Sequence, residues 1–366
     1  MANKKVRIGV IGTGSWANSG HMAVYQQHPQ VKLVGVCDID PLRAEKSAKT
    51  FGAQFATTDF TKLVERNDID AVDIVTPNVT HAPIALAVMK SGKHVICEKP
   101  LAMSYHQAKD MAQVAQETGV KNGINFVYRH HPAAQYARHL IKKGYIGRIF
   151  QINAAYMQGF LIDPAVPLVW RLQKDMTGTG VLGDLGSHII DLVEWLTDQQ
   201  IVSLVSDMQT FIHQRPLVDG SGVGQVDVDD GTTFLTRFNG GAMGTFVSSR
   251  YATARGNYQR IEIYGDQGAL VYRWEDTDHL KASIGPAFVN EAQWASIPIP
   301  DRFKAISGEK SSKYNFTQNL KNFIQSIIDD REMQPNFQDG LRNQEILEAV
   351  EISARDRRWI DLPLET

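Results

Sequence analysis

An aspartate and a histidine four residues apart, Asp184 and His188, follow a glycine-rich run at residues 178–183. The glycines are typical of a loop, and the sequence predicts a helix that begins near Asp184. Residues at positions i and i+4 share one helix face, so this carboxylate would orient the imidazole and stabilise its charged form. Such a pair suits general acid–base catalysis near neutral pH. An N-capping aspartate beside a satisfied interface histidine is the alternative.

A metal site is a further interpretation of the same segment. Asp191 lies three residues beyond His188, close to the same predicted helix face. Together with Asp184 these side chains could supply oxygen and nitrogen ligands. No cysteine or further histidine nearby completes a convincing ligand set. We therefore predict no metal.

Two short motifs follow apolar, strand-like runs in the first half of the chain. Thr76-Pro77-Asn78 comes after one run and Glu98-Lys99-Pro100 after the next. Ligands of open α/β sheets bind beyond the carboxyl ends of the strands, where both motifs are expected. Pro100 favours an extended backbone at Lys99, which would hold its side chain away from the following helix. Lys99 is therefore a candidate catalytic residue, with an ordinary surface lysine as the alternative.

A glycine-rich turn follows the first predicted strand, Val6–Ile11. The segment Gly12-Thr13-Gly14-Ser15-Trp16-Ala17 matches the dinucleotide pattern G-x-G-x-x-G/A. The pattern combines a tight turn, close approach of a pyrophosphate and a helix N-terminus that favours negative charge. An ordinary turn between strand and helix is the alternative. The second predicted strand ends in Asp38, where an acidic residue is expected to bind the adenosine ribose hydroxyls. Motif and acid together predict dinucleotide binding.

Asp38 also indicates which dinucleotide binds. A carboxylate at this position repels the additional phosphate of NADP, so the sequence favours NAD over NADP. Arg43 could weaken that repulsion if its side chain turned toward the phosphate. We favour the interpretation that Arg43 is a solvated residue on the following helix.

The elements that must position these residues divide the chain into two parts. Through residue 125 or so, apolar strands alternate with helical patterns, which predicts an α/β domain with a doubly wound parallel sheet. Residues 126–366 form the second predicted domain, in which longer β-branched and aromatic runs favour an antiparallel or mixed sheet. Residues 261–272 predict a β-hairpin, residues 214–231 a loop, and two amphipathic helices close the chain.

Composition excludes several functional classes. The chain has 366 residues and a net charge of −2, and 43% of its residues are hydrophobic. The balanced charge argues against a nucleic-acid partner, and no apolar run is long enough to span a membrane. The two cysteines, Cys37 and Cys97, lie in apolar runs, where buried thiols in a reducing compartment are expected. We expect a cytoplasmic enzyme or binding protein.

Taken in order, these motifs resemble those of the Gfo/Idh/MocA oxidoreductases. The segments that carry the resemblance are Gly12-Thr13-Gly14, Thr76-Pro77-Asn78, Glu98-Lys99-Pro100 and Gly180–Asp191. The resemblance covers essentially the whole chain. It implies an N-terminal Rossmann domain and a C-terminal α/β domain with a large, mostly antiparallel open sheet. It also implies a homodimer or homotetramer formed through that sheet.

The resemblance further implies roles for individual residues. The catalytic residues would be Lys99, Asp184 and His188: His188 as acid or base, Asp184 to orient and charge-tune it, and Lys99 to stabilise negative charge on the reacting oxygen. The implied cofactor-binding residues are Gly12, Thr13, Gly14, Ser15, Trp16, Asp38, Thr76, Pro77, Asn78, His81, Glu98 and Lys99. The implied substrate-binding residues are Lys99, Tyr128, Arg129, Trp170, Arg171, Asp184 and His188.

The activity implied by the resemblance is oxidation of a secondary hydroxyl of a sugar or cyclitol, with hydride transfer to NAD. Residues 170–174 are similar to a subgroup that acts on inositols and related cyclic sugars, whereas His130 and His131 depart from its arginine-rich motif. Two other functions remain open. One is an NAD-dependent glycosidase that uses transient oxidation and elimination. The other is a non-catalytic cofactor-binding sensor, against which the intact catalytic residues argue.

Overall fold

The computed structural model describes residues 5–276, 278–285, 293–304 and 311–365. The chain forms two compact units, the first from Met1–Val127 with Asn315–Gln344 and the second from Tyr128–Tyr314 with Glu345–Thr366. This division differs from a single cut after residue 125. The reason is hydrophobic: Phe316 and Leu320 are buried in a core cluster of the first unit together with Val10. Each unit is described separately below.

The first unit contains a six-stranded sheet in which all neighbouring strands are parallel. Its strands are β1 (Val6–Ile11), β2 (Val31–Cys37), β3 (Phe55–Thr57), β4 (Ala71–Ile74), β5 (His94–Cys97) and β6 (Asn122–Ile124). Their order in the sheet is β3-β2-β1-β4-β5-β6. The order reverses direction beside β1, so the carboxyl ends of β1 and β4 flank the switch point where such sheets bind ligands.

The second unit is built on a nine-stranded mixed sheet. In chain order the strands of this unit are β7 (Ile149–Met157), β8 (Ile201–Gln209), β9 (Gln214–Pro216), β10 (Val223–Gln225), β11 (Gly231–Phe238), β12 (Met243–Ser249), β13 (Tyr258–Gly265), β14 (Gly268–Arg273), β15 (His279–Ile284), β16 (Ala295–Pro298) and β17 (Ile360–Asp361). The large sheet has the order β16-β15-β14-β13-β7-β12-β11-β8-β17, and only the β7–β12 pair is parallel. The predicted α/β fold class is confirmed, and so is the hairpin at β13–β14.

The predicted loop over residues 214–231 is wrong in one part. β9 and β10 pair there as an antiparallel hairpin, closed by a hydrogen bond from Leu217 N to Gly222 O. Arg215 anchors the hairpin from inside the unit: its fully buried guanidinium donates to the carbonyls of Leu161 and Asp163. A buried arginine that donates hydrogen bonds to loop carbonyls does not produce a hydrophobic periodicity, so the sequence pattern does not indicate this hairpin.

The helices run as follows: α1 (Ala23–Gln27), α2 (Pro41–Phe51), α3 (Phe60–Val64), α4 (His81–Lys90), α5 (Tyr105–Thr118), α6 (Pro132–Lys142), α7 (Lys174–Thr177), α8 (Ser187–Thr197), α9 (Ser311–Ile328) and α10 (Phe337–Asp356). Two π-helical segments, Ala17–Met22 and Leu182–Gly186, directly precede α1 and α8. Both cysteines are buried free thiols. Within the described part of the chain, no helix combines the length and apolar character that a membrane span requires.

Candidate active site

The glycine-rich turn of the first unit has the geometry that a dinucleotide requires. Gly12 adopts a φ of +93°, and a Cβ atom there would lie 2.2 Å from the carbonyl oxygen of Val75, so only glycine fits. At Gly14, by contrast, a Cβ would meet nothing within 4 Å. The backbone at Gly14 therefore borders open space, while helical residues begin at Ser15. An open backbone beside a helix N-terminus fits a bound pyrophosphate.

Asp38 and Thr13 are brought together at the ends of β2 and β1. One carboxylate oxygen of Asp38 accepts hydrogen bonds from the backbone N–H of Thr13 at 2.7 Å and from its hydroxyl at 2.8 Å. The other oxygen accepts the N–H of Asp40 at 3.0 Å. The carboxylate is thus fixed against the glycine-rich turn, and it retains lone pairs that could accept ribose hydroxyls. Arg43 pairs with Asp40 at 3.1 Å on α2.

The turns after β4 and β5 are joined by a buried histidine. The ring of His81 lies 3.0 Å from the carbonyl oxygen of Thr76 and 2.9 Å from that of Pro100. The Thr80 hydroxyl bonds that of Thr76 at 2.7 Å. Burial lowers the pKa of His81. His81 therefore holds the turns of the two predicted motifs together by contacting one carbonyl oxygen in each.

Glu98 connects its own motif to the glycine-rich turn. Its Oε1 atom accepts the indole N–H of Trp16 at 2.9 Å, and its Oε2 atom accepts the backbone N–H of Lys99 at 3.2 Å. Trp16 is 48% exposed, with one edge packed on Phe316 at a ring-centroid distance of 4.9 Å. Of the predicted cofactor-binding residues, Trp16, Glu98 and Lys99 therefore form one connected group.

In the second unit, the helix that carries Asp184 and His188 begins earlier than the sequence indicates. Helical residues start at Val181, and the turn Leu182–Gly186 is π-helical before α8 continues. A π-helical turn contains more residues than an α-helical one and is frequent at functional sites. Asp184 lies within this turn and His188 lies on the first turn of α8, 8% exposed.

Two residues that the sequence analysis does not single out hold the loop before Asp184. Asp229 accepts the backbone N–H groups of Gly180 at 2.5 Å and Leu182 at 2.8 Å. Arg250 follows β12, and its guanidinium approaches the Asp184 carboxylate to 3.9 Å. A Cβ at Gly180 would lie 2.0 Å from the carbonyl oxygen of Asp229, which explains the glycine. A buried carboxylate and a buried guanidinium thus define the path of this loop.

Aromatic rings surround His188. The ring of Tyr128 packs edge-on against it at 4.7 Å, and the ring of Trp274 packs edge-on against Tyr128 at 5.0 Å. The Tyr128 and Tyr156 hydroxyls are 2.6 Å apart, and Tyr156 donates to Asn257 at 2.8 Å. Since Tyr156 donates onward, Tyr128 donates to Tyr156. Burial raises the pKa of Tyr128, so its hydroxyl keeps its proton.

In the structure, Asp191 forms an ion pair with Arg129. The Asp191 carboxylate binds the Arg129 guanidinium through two hydrogen bonds, of 2.9 and 2.5 Å. Both side chains are less than a tenth exposed. Arg129, a predicted substrate-binding residue, therefore has its charge compensated inside the unit. The other predicted substrate-binding pair lies on a 3-10 turn, where the Arg171 guanidinium covers the Trp170 ring at 4.3 Å.

Within the described ranges, no group of three or more His, Cys, Asp or Glu side chains could hold a metal ion.

Several neighbours of the predicted site carry no motif of their own: Asp229, Arg250, Tyr156, Asn257 and Trp274. They reach the site through strand pairing across the sheet, and periodicity within one segment does not reveal such contacts.

Comparison with known proteins agrees with this arrangement. The family model described as "Oxidoreductase family, NAD-binding Rossmann fold" matches residues 6–126. The model of the GFO/IDH/MocA C-terminal domain matches residues 134–271. The predicted family and the predicted NAD-binding domain are therefore confirmed.

Individual relatives match over nearly the full chain. Levoglucosan dehydrogenase of Pseudarthrobacter phenanthrenivorans is 31% identical, with 98% of this chain and 99% of that protein covered. Inositol 2-dehydrogenase of Rhizobium meliloti is 25% identical, with 98% and 99% covered. A solved structure of levoglucosan dehydrogenase in complex with NADH and levoglucosan has a TM-score of 0.92 at 30% identity, covering 98% of this chain and all of that one. The chain belongs to the GFO/IDH/MocA oxidoreductase family and has an NAD-binding Rossmann domain.

Proposed function

We propose that this enzyme oxidises a secondary hydroxyl of a cyclic sugar or cyclitol with NAD as hydride acceptor. The observation that carries the proposal is His188, which lies one helical turn from Asp184 and packs against Tyr128 at 4.7 Å. The substrate class is supported by similarity to relatives named for levoglucosan and inositol, both of which are matched over 98% of this chain.

In this proposal the chain's own residues move one proton and stabilise one oxygen. The neutral imidazole of His188 accepts the hydroxyl proton as the carbon–oxygen bond becomes a carbonyl. Asp184 orients the ring and stabilises the imidazolium that forms. Lys99 donates a hydrogen bond to the reacting oxygen and offsets its developing negative charge. Bound NAD supplies the hydride acceptor.

The proposed cofactor contacts follow from the geometry of the first unit. The open backbone at Gly14, with Thr13 and Ser15, would hold the pyrophosphate. Asp38, fixed by Thr13, would accept the adenosine ribose hydroxyls. The remaining proposed cofactor-binding residues would line the site or hold its turns: Gly12, Trp16, Thr76, Pro77, Asn78, His81, Glu98 and Lys99.

The proposed substrate contacts combine polar groups with flat apolar surfaces, as a cyclic polyol requires. Trp170 and Arg171 are stacked and accessible on their turn, and Tyr128 borders His188. We assign Arg129 a supporting role, because its Nε and Nη2 atoms both donate hydrogen bonds to Asp191. That pair holds the segment that carries Tyr128 against α8.

The open face of the large sheet is the proposed oligomer interface. Burial alternates along β11: Phe234 is buried, whereas Leu235 is 43% exposed. Met243 on the adjacent strand β12 is 60% exposed and pairs with Arg237. Exposed apolar residues on one sheet face are typical of a surface that meets a partner. A homodimer or homotetramer would cover them.

The test follows nicotinamide absorbance while the purified enzyme and NAD meet inositol isomers, aldoses and anhydrosugars. His188→Asn and Lys99→Met remove the proposed chemistry, and His106→Asn and Lys90→Met serve as controls because they change residues outside the site on α5 and α4. NADH formation with a cyclic polyol, lost in the first two variants and kept in the controls, supports the proposal. Release of reducing sugar from a glycoside without net NADH would instead identify the glycosidase.

A further inference from the structure

A buried histidine of the first unit lies between two carboxylates. His21 belongs to the π-helical segment Ala17–Met22, directly after the glycine-rich turn, and is fully buried. Its Nδ1 atom is 2.6 Å from Asp73 Oδ2 and its Nε2 atom is 3.1 Å from Glu98 Oε1. Asp73 is likewise fully buried, on β4. The ring therefore joins the first helix to the ends of two neighbouring strands.

This geometry defines the protonation state of His21. Both neighbours are carboxylate oxygens, which accept hydrogen bonds, and a neutral imidazole has only one N–H to donate. Donation to both requires the imidazolium. Burial alone lowers the pKa of His21, but Asp73 and Glu98 outweigh it and raise the pKa to about 9. Burial raises the pKa of Glu98, but His21 and Lys99 outweigh it and lower the pKa to about 2.

Glu98 connects His21 by hydrogen bonds to groups at the predicted cofactor site. The Oε1 atom that bonds His21 also accepts the Trp16 indole at 2.9 Å and the Asn125 amide at 3.3 Å. Its Oε2 atom accepts the backbone N–H of Lys99 at 3.2 Å. A single ionised carboxylate thus connects the helix after the glycine-rich turn, the end of β6 and the proposed catalytic lysine.

We propose that His21 is a positioning residue, whose imidazolium holds Glu98 ionised and in place and thereby fixes Lys99 for hydrogen bonding to the reacting oxygen. The inference rests on the role proposed for Lys99. His21 itself has no exposed surface and contacts Glu98 rather than Lys99. Its effect on the reaction is therefore indirect.

Several charged or titratable groups lie around the ring. Asp73 and Glu98 bond it directly, and Tyr25 on α1 donates to the same Asp73 oxygen at 2.8 Å. Cys97 precedes Glu98, and burial raises the pKa of its thiol well above the usual range. The remaining face is covered by Phe316, whose ring lies 4.5 Å from that of His21. A cation at His21 thus lies between the fully buried Asp73 carboxylate and the partly buried Glu98 carboxylate.

The first experiment separates turnover from cofactor binding. His21→Gln, Glu98→Gln and the double variant are compared for kcat on the best polyol and for the Kd of NADH, with Tyr25→Phe as control. We expect each single variant to lower kcat at least about tenfold, because a small displacement of a catalytic group has that effect. The NADH Kd of His21→Gln should rise no more than about threefold, and the double variant should be no slower than the slower single variant. Tyr25→Phe should keep its kcat, because it leaves the bonds to Glu98 intact.

A second experiment needs no substrate, so that it decides the inference even if no polyol is oxidised. Amide hydrogen exchange is followed at neutral pH in a peptide spanning residues 98–104, which contains the Lys99 N–H. We expect exchange at least about tenfold faster in His21→Gln and Glu98→Gln than in wild type and Tyr25→Phe. Glu98→Gln keeps the size of the side chain, so it serves if His21→Gln fails to fold. Unchanged exchange in both variants, equal acceleration in Tyr25→Phe, or wild-type kcat in His21→Gln would overturn the inference.

Discussion

The Arg250 guanidinium lies 3.9 Å from the Asp184 carboxylate, and the arginine side chain is 1% exposed. The same guanidinium donates to the carbonyl oxygen of Arg171 at 3.3 Å and to that of Asp229 at 3.2 Å. One buried cation therefore contacts both the proposed acid–base turn and the segment that carries the proposed substrate-binding residues. Loss of this side chain should disturb both segments together.

Arg250→Met should lower the free energy of unfolding by about 3 kcal/mol, because it leaves the facing carboxylates Asp184 and Asp230 without their cation. Arg250→Lys should lower the free energy of unfolding by a smaller amount, since it keeps the charge but not the planar fork of donors. Urea unfolding measures both. The control is Arg237→Met, which removes an exposed cation over Trp359 and should cost no more than about 1 kcal/mol. Equal losses in Arg250→Met and Arg237→Met would contradict this account.

Arg129 and Asp191 should behave as a coupled pair. Removing either partner alone, in Arg129→Met or Asp191→Leu, leaves a buried charge and should cost about 3–5 kcal/mol of stability. The double variant should recover most of that loss, since neither charge remains. A double-mutant cycle by denaturant unfolding measures the coupling. Additive losses would show that the two side chains act independently and would reopen a direct substrate contact for Arg129.

Gly14→Ala should weaken NADH binding without weakening the fold. A Cβ at residue 14 meets no protein atom within 4 Å, so the fold accepts it, but it projects from the backbone that the pyrophosphate approaches. We expect the Kd of NADH to rise at least about tenfold, with the free energy of unfolding unchanged within about 1 kcal/mol. Gly222→Ala, equally open, should change neither quantity. Wild-type NADH affinity in Gly14→Ala would place the pyrophosphate elsewhere.

Stability should depend on pH through His21. Its pKa rises from an ordinary 6.5 to about 9 in the fold, so the folded state binds the proton more tightly. The resulting stabilisation is fully present below pH 6.5 and is lost as pH rises toward 9, a decline of about 3 kcal/mol. Unfolding by urea across this range should show the decline in wild type. His21→Gln has no such proton, and a similar alkaline decline in that variant would assign it to another group.

Leu235→Asp should dissociate the proposed oligomer. The substitution places a charge on the exposed face of β11 and leaves the buried face, with Phe234, unchanged. Light scattering coupled to size exclusion should report a smaller assembly than for wild type, at equal unfolding free energy within about 1 kcal/mol. Leu42→Asp on α2, 75% exposed in the first unit, is the control. An unchanged mass in Leu235→Asp would move the interface away from this face.

Sequence patterns locate the turns of the first unit because the residues that form each turn are close together in the chain. Gly12, Gly14 and Asp38 each follow a buried apolar strand, and parallel strands of one sheet bring their carboxyl ends together. The strand–helix alternation in this region therefore indicates both the fold and the place of the cofactor.

The remaining contacts depend on long-range packing or on departures from regular helix geometry. A single histidine such as His21 forms no motif in the sequence, because its partners Asp73 and Glu98 are distant in the chain and come close to it only in the fold. Regular helical spacing places Asp191 near the face of His188, but it gives no indication of the ion pair that Asp191 forms with Arg129. The π-helical turn at Leu182–Gly186 likewise cannot be predicted from the spacing of apolar residues, since most of its residues are buried.

The return of residues 315–344 to the first unit has a consequence for synthesis of the chain. The sheet of that unit is translated by residue 127, yet α9, whose Phe316 and Leu320 bury one of its faces, emerges only after the intervening part of the second unit. At 5–20 residues per second, roughly 190 intervening residues take about 10–40 s. During that interval the face of the nascent sheet on which α9 packs is only partly covered, by earlier residues such as Met22 and Tyr25. The NAD-binding domain therefore cannot complete its fold on the ribosome before the segment through residue 344 has been made.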